Sequence, residues 1–197
     1  MIHRSSFLCL ALALATLTGC YSIGRDFVRP PIEQFELKRT TQAQVLAAVG
    51  STPMISSTER NGKRIERFQY TFFTAAGPSA GLSAAGRAAS FFFSDGLLIG
   101  YLYTSSFPGE STDFPIENAS RIEKGKSTRA DVESLLGKPH GVILYPLADG
   151  EGNSQLRYNF TGSTGVVGSG GIVSKDVLVS VNEKGIVTDL SVTSEKK

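Results

Sequence analysis

The sequence has few of the residues from which metal and redox sites are built. Its 197 residues include two cysteines, two histidines and no tryptophan. Structural zinc and iron–sulfur sites need about four Cys or His ligands, so the sequence predicts neither a metal nor another cofactor. An excess of charge of one sign is also lacking, because 20 Lys and Arg face 18 Asp and Glu. This balance gives no electrostatic basis for binding nucleic acid, and a hydrophobic share of 41% excludes a disordered chain.

Residues 1–19 have the pattern of a bacterial lipoprotein signal peptide. A basic start with Arg4 is followed by an apolar run from Phe7 to Leu17, which is too short to span about 30 Å of hydrocarbon as a helix. The run leads into the sequence Leu-Thr-Gly-Cys, which ends at Cys20 and resembles the lipobox. In that motif the chain is cut before the cysteine, whose sulfur then carries a lipid. The alternative is an ordinary secretory signal with an unmodified cysteine at its end.

The lipobox resemblance implies a protein of the outer membrane, anchored by lipid and facing the periplasm. Cys20 is then the lipidated first residue of the mature chain, and the membrane is bound through this lipid. In related bacterial lipoproteins an Asp directly after the cysteine retains the protein in the inner membrane, whereas Tyr21 stands here. Residues 20–33 are expected to form a tether between the lipid and the folded part.

Two segments, 35–50 and 122–139, repeat one pattern and are each predicted to contain a short helix. In the second segment, Thr128 and Asp131 have the spacing of a capping box, in which each side chain bonds to the backbone N–H of the other residue. Gly137 stands where a helix ends at a residue with positive φ. The first segment has the same signals at Thr41, Gln44 and Gly50.

Each predicted helix is followed by four stretches in which apolar and polar residues alternate, as in half-buried strands. The sequences Asn61-Gly62 and Asp95-Gly96 are typical of two-residue hairpin turns. The predicted strands are 54–59, 64–73, 91–93, 97–103, 142–147, 155–161, 177–181 and 186–192.

The predicted fold class is therefore α+β, with two tandem repeats. Each repeat is expected to be a short helical segment packed on its own four-stranded antiparallel sheet. The first repeat spans 34–106 and the second spans 118–197, with a linker at 107–117.

The second segment resembles the SmpA/OmlA (BamE-like) family of outer-membrane lipoproteins. The resemblance lies in the run from Gly125 through Pro139, which closes with Leu-Leu-Gly-Lys-Pro, in a chain with a lipidated cysteine. It implies a non-catalytic lipoprotein that binds envelope proteins, in outer-membrane β-barrel assembly or in envelope integrity. The tandem arrangement is also similar in architecture to the β-lactamase inhibitor protein, which binds an enzyme across its sheet surface. The alternative function is thus an inhibitor-like protein that binds a periplasmic hydrolase.

The candidate partner-binding residues are three aromatic side chains of the hairpin 91–103. Alternation directs Phe92 to the face opposite Phe91 and Phe93, so that aromatic residues lie on both faces. We expect Phe92, Tyr101 and Tyr103 to contact a partner, and a place in the core or between the repeats is the alternative.

Catalysis is not expected, because no motif provides a nucleophile with a base. His140 is the one histidine beyond the predicted signal peptide. It is expected to be an exposed residue in the turn after the second helix.

Overall fold

The computed structural model describes residues 21–75, 84–163 and 171–196. The predicted signal peptide and Cys20 lie outside the described residues. The helical elements of the described part are a 3₁₀ turn at Ile32–Gln34, helix α1 at Gln42–Val49, a second 3₁₀ turn at Ile116–Arg121 and helix α2 at Arg129–Leu136.

Nine strands of the described part form one antiparallel sheet. They are β1 (Tyr21–Gly24), β2 (Met54–Arg60), β3 (Lys63–Ala75), β4 (Ala85–Ser94), β5 (Leu97–Ser105), β6 (Gly141–Leu144), β7 (Ser154–Ser163), β8 (Ile172–Val181) and β9 (Val187–Lys196). Their order in the sheet is β1-β3-β4-β5-β6-β7-β8-β9, and β2 also pairs with β3, beside β1.

The predicted fold class, α+β with a separate four-stranded sheet in each repeat, is wrong. Strand β5 of the first half pairs with β6 of the second, with Tyr101 opposite Val142, so the chain is dominated by one continuous sheet. Alternation along a strand decides which face each side chain takes but not which strand edges pair. The junction is tight, because a Cβ on Gly141 would collide with the carbonyl oxygen of Tyr101. Only glycine fits at this position.

The local predictions for the helices and turns are confirmed. Both capping boxes are formed, at Thr41 before α1 and at Thr128 before α2. Gly137 ends α2 with a φ of 85°. Two-residue turns at Asn61-Gly62 and Asp95-Gly96 join β2 to β3 and β4 to β5.

The structure places the segment predicted as a tether against the sheet. Within 20–33, Tyr21 pairs with Ala75 at the end of β3, and Phe27 is buried in the core. The segment 107–117 also contacts the folded part, because the Phe107 ring stacks on Phe72. The division of the chain into two repeats and a linker stays a prediction.

Both helices cover the same face of the sheet, which we call the helix-covered face. Val45 of α1 packs with Phe91 and neighbouring aromatic residues, and Val132 of α2 packs with Tyr158 and the valines of β8. Tyr101 contacts both clusters. Burial of these apolar side chains is the main force that holds the helices on the sheet.

The opposite, helix-free face is concave. A groove on this face is lined by Thr71 of β3 and by Thr161 of β7 and Ile172 of β8. In a flat sheet with a strand spacing of ~4.8 Å, β3 and β8 would lie more than about 20 Å apart. The groove has a volume of only about 400 Å³, so the sheet must curl around it. At the opposite end of the strands, the Asn61 Nδ2 donates to the Pro146 carbonyl oxygen at 2.8 Å.

Candidate functional site

The three aromatic residues singled out in the sequence lie on different faces of the sheet. Phe92 is half-buried on the helix-free face. Tyr101 pairs with Phe91 and Tyr103 pairs with Ala89, so both tyrosines point to the helix-covered face. The structure therefore does not bring the three into one surface, and their contact with a partner stays a prediction.

Tyr103 is held in the core of the first half. Its side chain is 2% exposed, and its hydroxyl donates to Glu110 Oε2 at 2.8 Å. Burial, followed by this hydrogen bond, raises the pKa of Tyr103. A buried tyrosine that donates to a carboxylate is fixed in place.

The carboxylate of Glu110 belongs to an ion-pair network around Arg87. Arg87 Nη1 donates to Glu110 Oε2 at 2.8 Å, and Arg87 Nη2 donates to Asp26 Oδ1 at 3.0 Å. The guanidinium also lies 4.6 Å from the centre of the Phe107 ring. Burial acts to lower the pKa of Arg87, but the two carboxylates outweigh it and the pKa is raised. The network ties the segments before α1 and after β5 to strand β4, which is a structural role.

Tyr101 forms the floor of a cleft between the two halves on the helix-covered face. The cleft has a volume of about 250 Å³. Arg29 and Glu33 line one side, and Arg129 pairs with Glu133 at 2.8 Å on the other. Burial is the main cause of a raised pKa for Tyr101, so its hydroxyl is neutral near pH 7. The cleft is lined mainly by charged and polar residues and is small for a protein partner.

His140 is half-buried, and the expectation that it is exposed is wrong. Strand β6 begins only at Gly141, and the His140 side chain continues the contact with β7, because the Asn159 N–H donates to His140 Nδ1 at 3.1 Å. Burial lowers the pKa of His140 to about 4, which keeps the ring neutral. The ring packs edge-on against Phe114 and Tyr158, and its position is explained by packing and by this hydrogen bond.

The helix-free face carries arginine and large apolar side chains with no helix over them. At one side Arg67 donates to Ser90 Oγ at 3.0 Å and lies 5.7 Å from the centre of the Phe92 ring. The Arg67 side chain, which is held by Ser90, therefore packs against the Phe92 ring. Towards the middle of the sheet the face continues with Leu102, and Leu178 follows on β8. These side chains are half-buried.

Arg157 lies on this same face between Gly141 of β6 and Leu178 of β8. Its Nε is buried and has no hydrogen-bond partner, and Arg157 forms no ion pair with any residue in the ranges 21–75, 84–163 and 171–196. Leaving a buried donor unpaired costs about 1–3 kcal/mol. Arg67 on the same face has its partner. Arg87 Nε is also buried without one, but the other nitrogens of that guanidinium bond to Glu110 and Asp26, so Arg157 differs in having no ion pair within the described residues. We call Phe92, Leu102, Arg157 and Leu178 the concave patch.

Sequence reasoning missed Arg157 as a site residue. The alternation in β7 assigns it to the polar face, where an arginine is ordinary. Its neighbours Gly141 and Leu178 come from strands that are distant in sequence, so its lack of a partner is visible only in the folded chain.

The described residues contain no group of three His, Cys, Asp or Glu side chains that could hold a metal ion. They also contain no helix that is long and apolar enough to cross a membrane.

Comparison with known proteins shows similarity to a solved structure but assigns no family to the chain. No protein-family model matches it, and no protein of curated function matches it. No family membership is shown. Among solved structures, the chain is similar to the crystal structure of a proposed β-lactamase inhibitor protein from Streptococcus mutans. The TM-score is 0.45 at 10% sequence identity, over 82% of this chain and 91% of that chain. A likeness this weak carries no argument about function, and the SmpA/OmlA resemblance stays a prediction.

Proposed function

We propose that this chain is a non-catalytic lipoprotein of the outer membrane that binds an envelope protein through the concave patch. The lipid on Cys20 anchors it on the periplasmic side. The sequence pattern at residues 1–20 supports the anchor, and the geometry of the helix-free face supports the binding.

The observation that carries the binding proposal is the unpaired Arg157. Arg157 Nε is buried without a hydrogen-bond partner among the described residues, which is unfavourable in the free protein. The side chain as a whole is only half-buried, so a carboxylate or carbonyl oxygen of a partner can bond to the rest of the guanidinium group and offset that cost. Arginine and aromatic residues supply most of the energy at the centres of protein interfaces. Phe92 and Leu178 lie on the same face and can be buried by the same partner.

The concave shape favours a convex protein surface over a small molecule. The patch runs from β4 through β5 and β7 to β8, and strands four or more places apart can contact one rounded partner. We assign that partner to the outer-membrane β-barrel assembly machinery, following the SmpA/OmlA resemblance of the second half.

Affinity purification of the full chain from detergent-solubilised outer membranes tests this function. Subunits of the β-barrel assembly machinery are expected with the native chain and are expected to be lost with Arg157→Ala. Arg39→Ala is the matched control, because Arg39 is exposed and lies beside α1, away from the concave patch. Recovery of a single soluble hydrolase would instead assign the inhibitor-like function. Equal recovery of the machinery by both variants would remove the concave patch from the binding site.

A further inference from the structure

The predicted lipid and one end of the sheet lie next to each other. Tyr21, the residue directly after Cys20, pairs with Ala75 at the last position of β3. Neighbouring Cα atoms are 3.8 Å apart, so an anchored Cys20 holds this end of the sheet at the bilayer. We call it the β1 end; the ends of β3, β5, β7 and β9 and the starts of β1, β4 and β8 lie there.

The β1 end carries exposed apolar side chains on the helix-free face. Ile23 is 50% exposed and stands opposite Phe73 of β3, and Ile172 at the start of β8 is 58% exposed. The groove of about 400 Å³ opens beside them, with Phe73 and Ile172 in its lining. Such apolar surface is unfavourable in water and favourable against hydrocarbon.

Charged side chains are also distributed unevenly between the two ends of the strands. The positions of β3 after Arg67 and of β7 after Arg157, which run to the β1 end, hold no Asp, Glu, Lys or Arg, and neither do the first positions of β4 before Arg87 and of β8 before Lys175. By contrast, the turns at the opposite end of the strands contain Asp95, Asp149 and Glu183. The end of the edge strand β9 does carry charge, because Glu195 stands opposite Ser174 and Lys196 opposite Val173. Placing charged side chains against hydrocarbon is costly, so the part of the β1 end formed by β1, β3 and the start of β8 is the part suited to lie on a lipid surface, with the charged end of β9 at its border.

We infer that the β1 end is a membrane-contacting surface, in which Ile23, Phe73 and Ile172 rest against the acyl chains of the bilayer that holds the Cys20 lipid. The inference rests on the lipid anchor of the proposed function. The strands then point away from the membrane, and Phe92 and Arg157 of the concave patch, which lie nearer the opposite ends of their strands, face the periplasm.

Depth-dependent fluorescence quenching tests this orientation, because the native chain has no tryptophan. The full lipidated chain is reconstituted into phosphatidylcholine–phosphatidylglycerol vesicles that contain lipids brominated on the acyl chains. One variant is Ile172→Trp at the β1 end. The matched control is Lys184→Trp, an exposed position in the turn at the other end of β8, which is roughly 30 Å away along the strand.

Ile172→Trp is expected to shift its emission to the blue and to be quenched several-fold more than Lys184→Trp. Equal and weak quenching in a chain that floats with the vesicles would overturn the inference and leave the anchor intact. A chain that does not float with vesicles would overturn the anchor and the inference together. Fluorescence quenching and vesicle flotation do not depend on the concave patch. Partner binding by that patch is therefore tested independently, by affinity purification with Arg157→Ala.

Discussion

The hydroxyl of Tyr158 donates a hydrogen bond to the carbonyl oxygen of Gly137 at 2.9 Å. This contact joins the middle of β7 to the end of α2. The first half contains the same contact, in which the Tyr70 hydroxyl donates to the Gly50 carbonyl oxygen at 2.6 Å. In each half a strand tyrosine therefore satisfies a carbonyl at a helix terminus, which has no partner within its helix.

Removing the Tyr158 hydroxyl is expected to destabilise the fold. Tyr158→Phe keeps the ring in the core but leaves the Gly137 carbonyl without its partner, at a cost of about 1 kcal/mol. Thermal unfolding followed by circular dichroism measures the effect. Tyr101→Phe is the matched control, because the structure gives the Tyr101 hydroxyl no hydrogen bond within the described residues. Equal melting temperatures for the two variants would show that the contact between β7 and α2 is not formed.

The conformation of Gly137 predicts a second stability effect. Its φ of 85° lies in a region that residues with a Cβ rarely adopt. Gly137→Val is expected to lower the free energy of unfolding by about 1 kcal/mol or more. Lys138→Ala, one position further along, is expected to leave it nearly unchanged. If both variants unfold at the same temperature, the end of α2 at Gly137 is wrongly placed.

His140 predicts a loss of stability in mild acid. Its pKa is about 4 in the folded protein and about 6.5 in an unfolded chain. Between these values the unfolded state binds more protons, so stability is full above pH 6.5 and falls as the pH drops towards 4. The loss amounts to at most about 3 kcal/mol.

The His140→Asn variant separates this titration from that of the carboxylates. The asparagine Oδ1 can accept the Asn159 N–H as Nδ1 does, but it does not titrate. Urea unfolding at a series of pH values is expected to show a shallower pH dependence for the variant between pH 4 and 6.5. The same slope in both proteins would place the His140 ring in solvent.

The aromatic residues Phe92 and Tyr103 are expected to respond in opposite ways to truncation. Tyr103→Ala leaves a cavity in the core and removes the hydrogen bond to Glu110. It is therefore expected to lower the free energy of unfolding by about 3–5 kcal/mol. Phe92→Ala is expected to cost much less and to weaken partner recovery. Melting temperatures and partner recovery are measured for both variants. A Phe92→Ala protein that melts as low as Tyr103→Ala and retains its partner would place Phe92 in the core.

The sequence predicted the elements that depend on neighbouring residues. The capping box of Thr128 with Asp131 and the turn at Asn61-Gly62 are determined within four residues, and both are formed as predicted. The pairing of β5 with β6 depends on contacts between distant residues, such as the fit of Gly141 against Tyr101. No local pattern encodes that contact, and the prediction of two separate sheets failed there.

The site residues also divide into features that the local sequence predicts and features that depend on contacts between distant residues. Alternation correctly directed Phe92 to the face opposite Phe91. The alternation pattern could not show that Tyr103 is buried and bonded to Glu110 in the segment after β5. It also could not show that Arg157 Nε lacks a hydrogen-bond partner in the described part of the chain. Both facts depend on segments that only the folded chain brings together.

Site-specific photo-cross-linking tests partner binding by the helix-free face most directly. A photoreactive residue replaces Leu178 in the concave patch of the full chain in intact cells. Matched controls carry it at Ala47 of α1 and at Ala130 of α2, which are exposed on the outer side of the helices. We expect a cross-linked envelope protein from position 178, weakened by Arg157→Ala, and none from positions 47 and 130. Cross-links from the helix positions, with none from position 178, would contradict binding through the helix-free face.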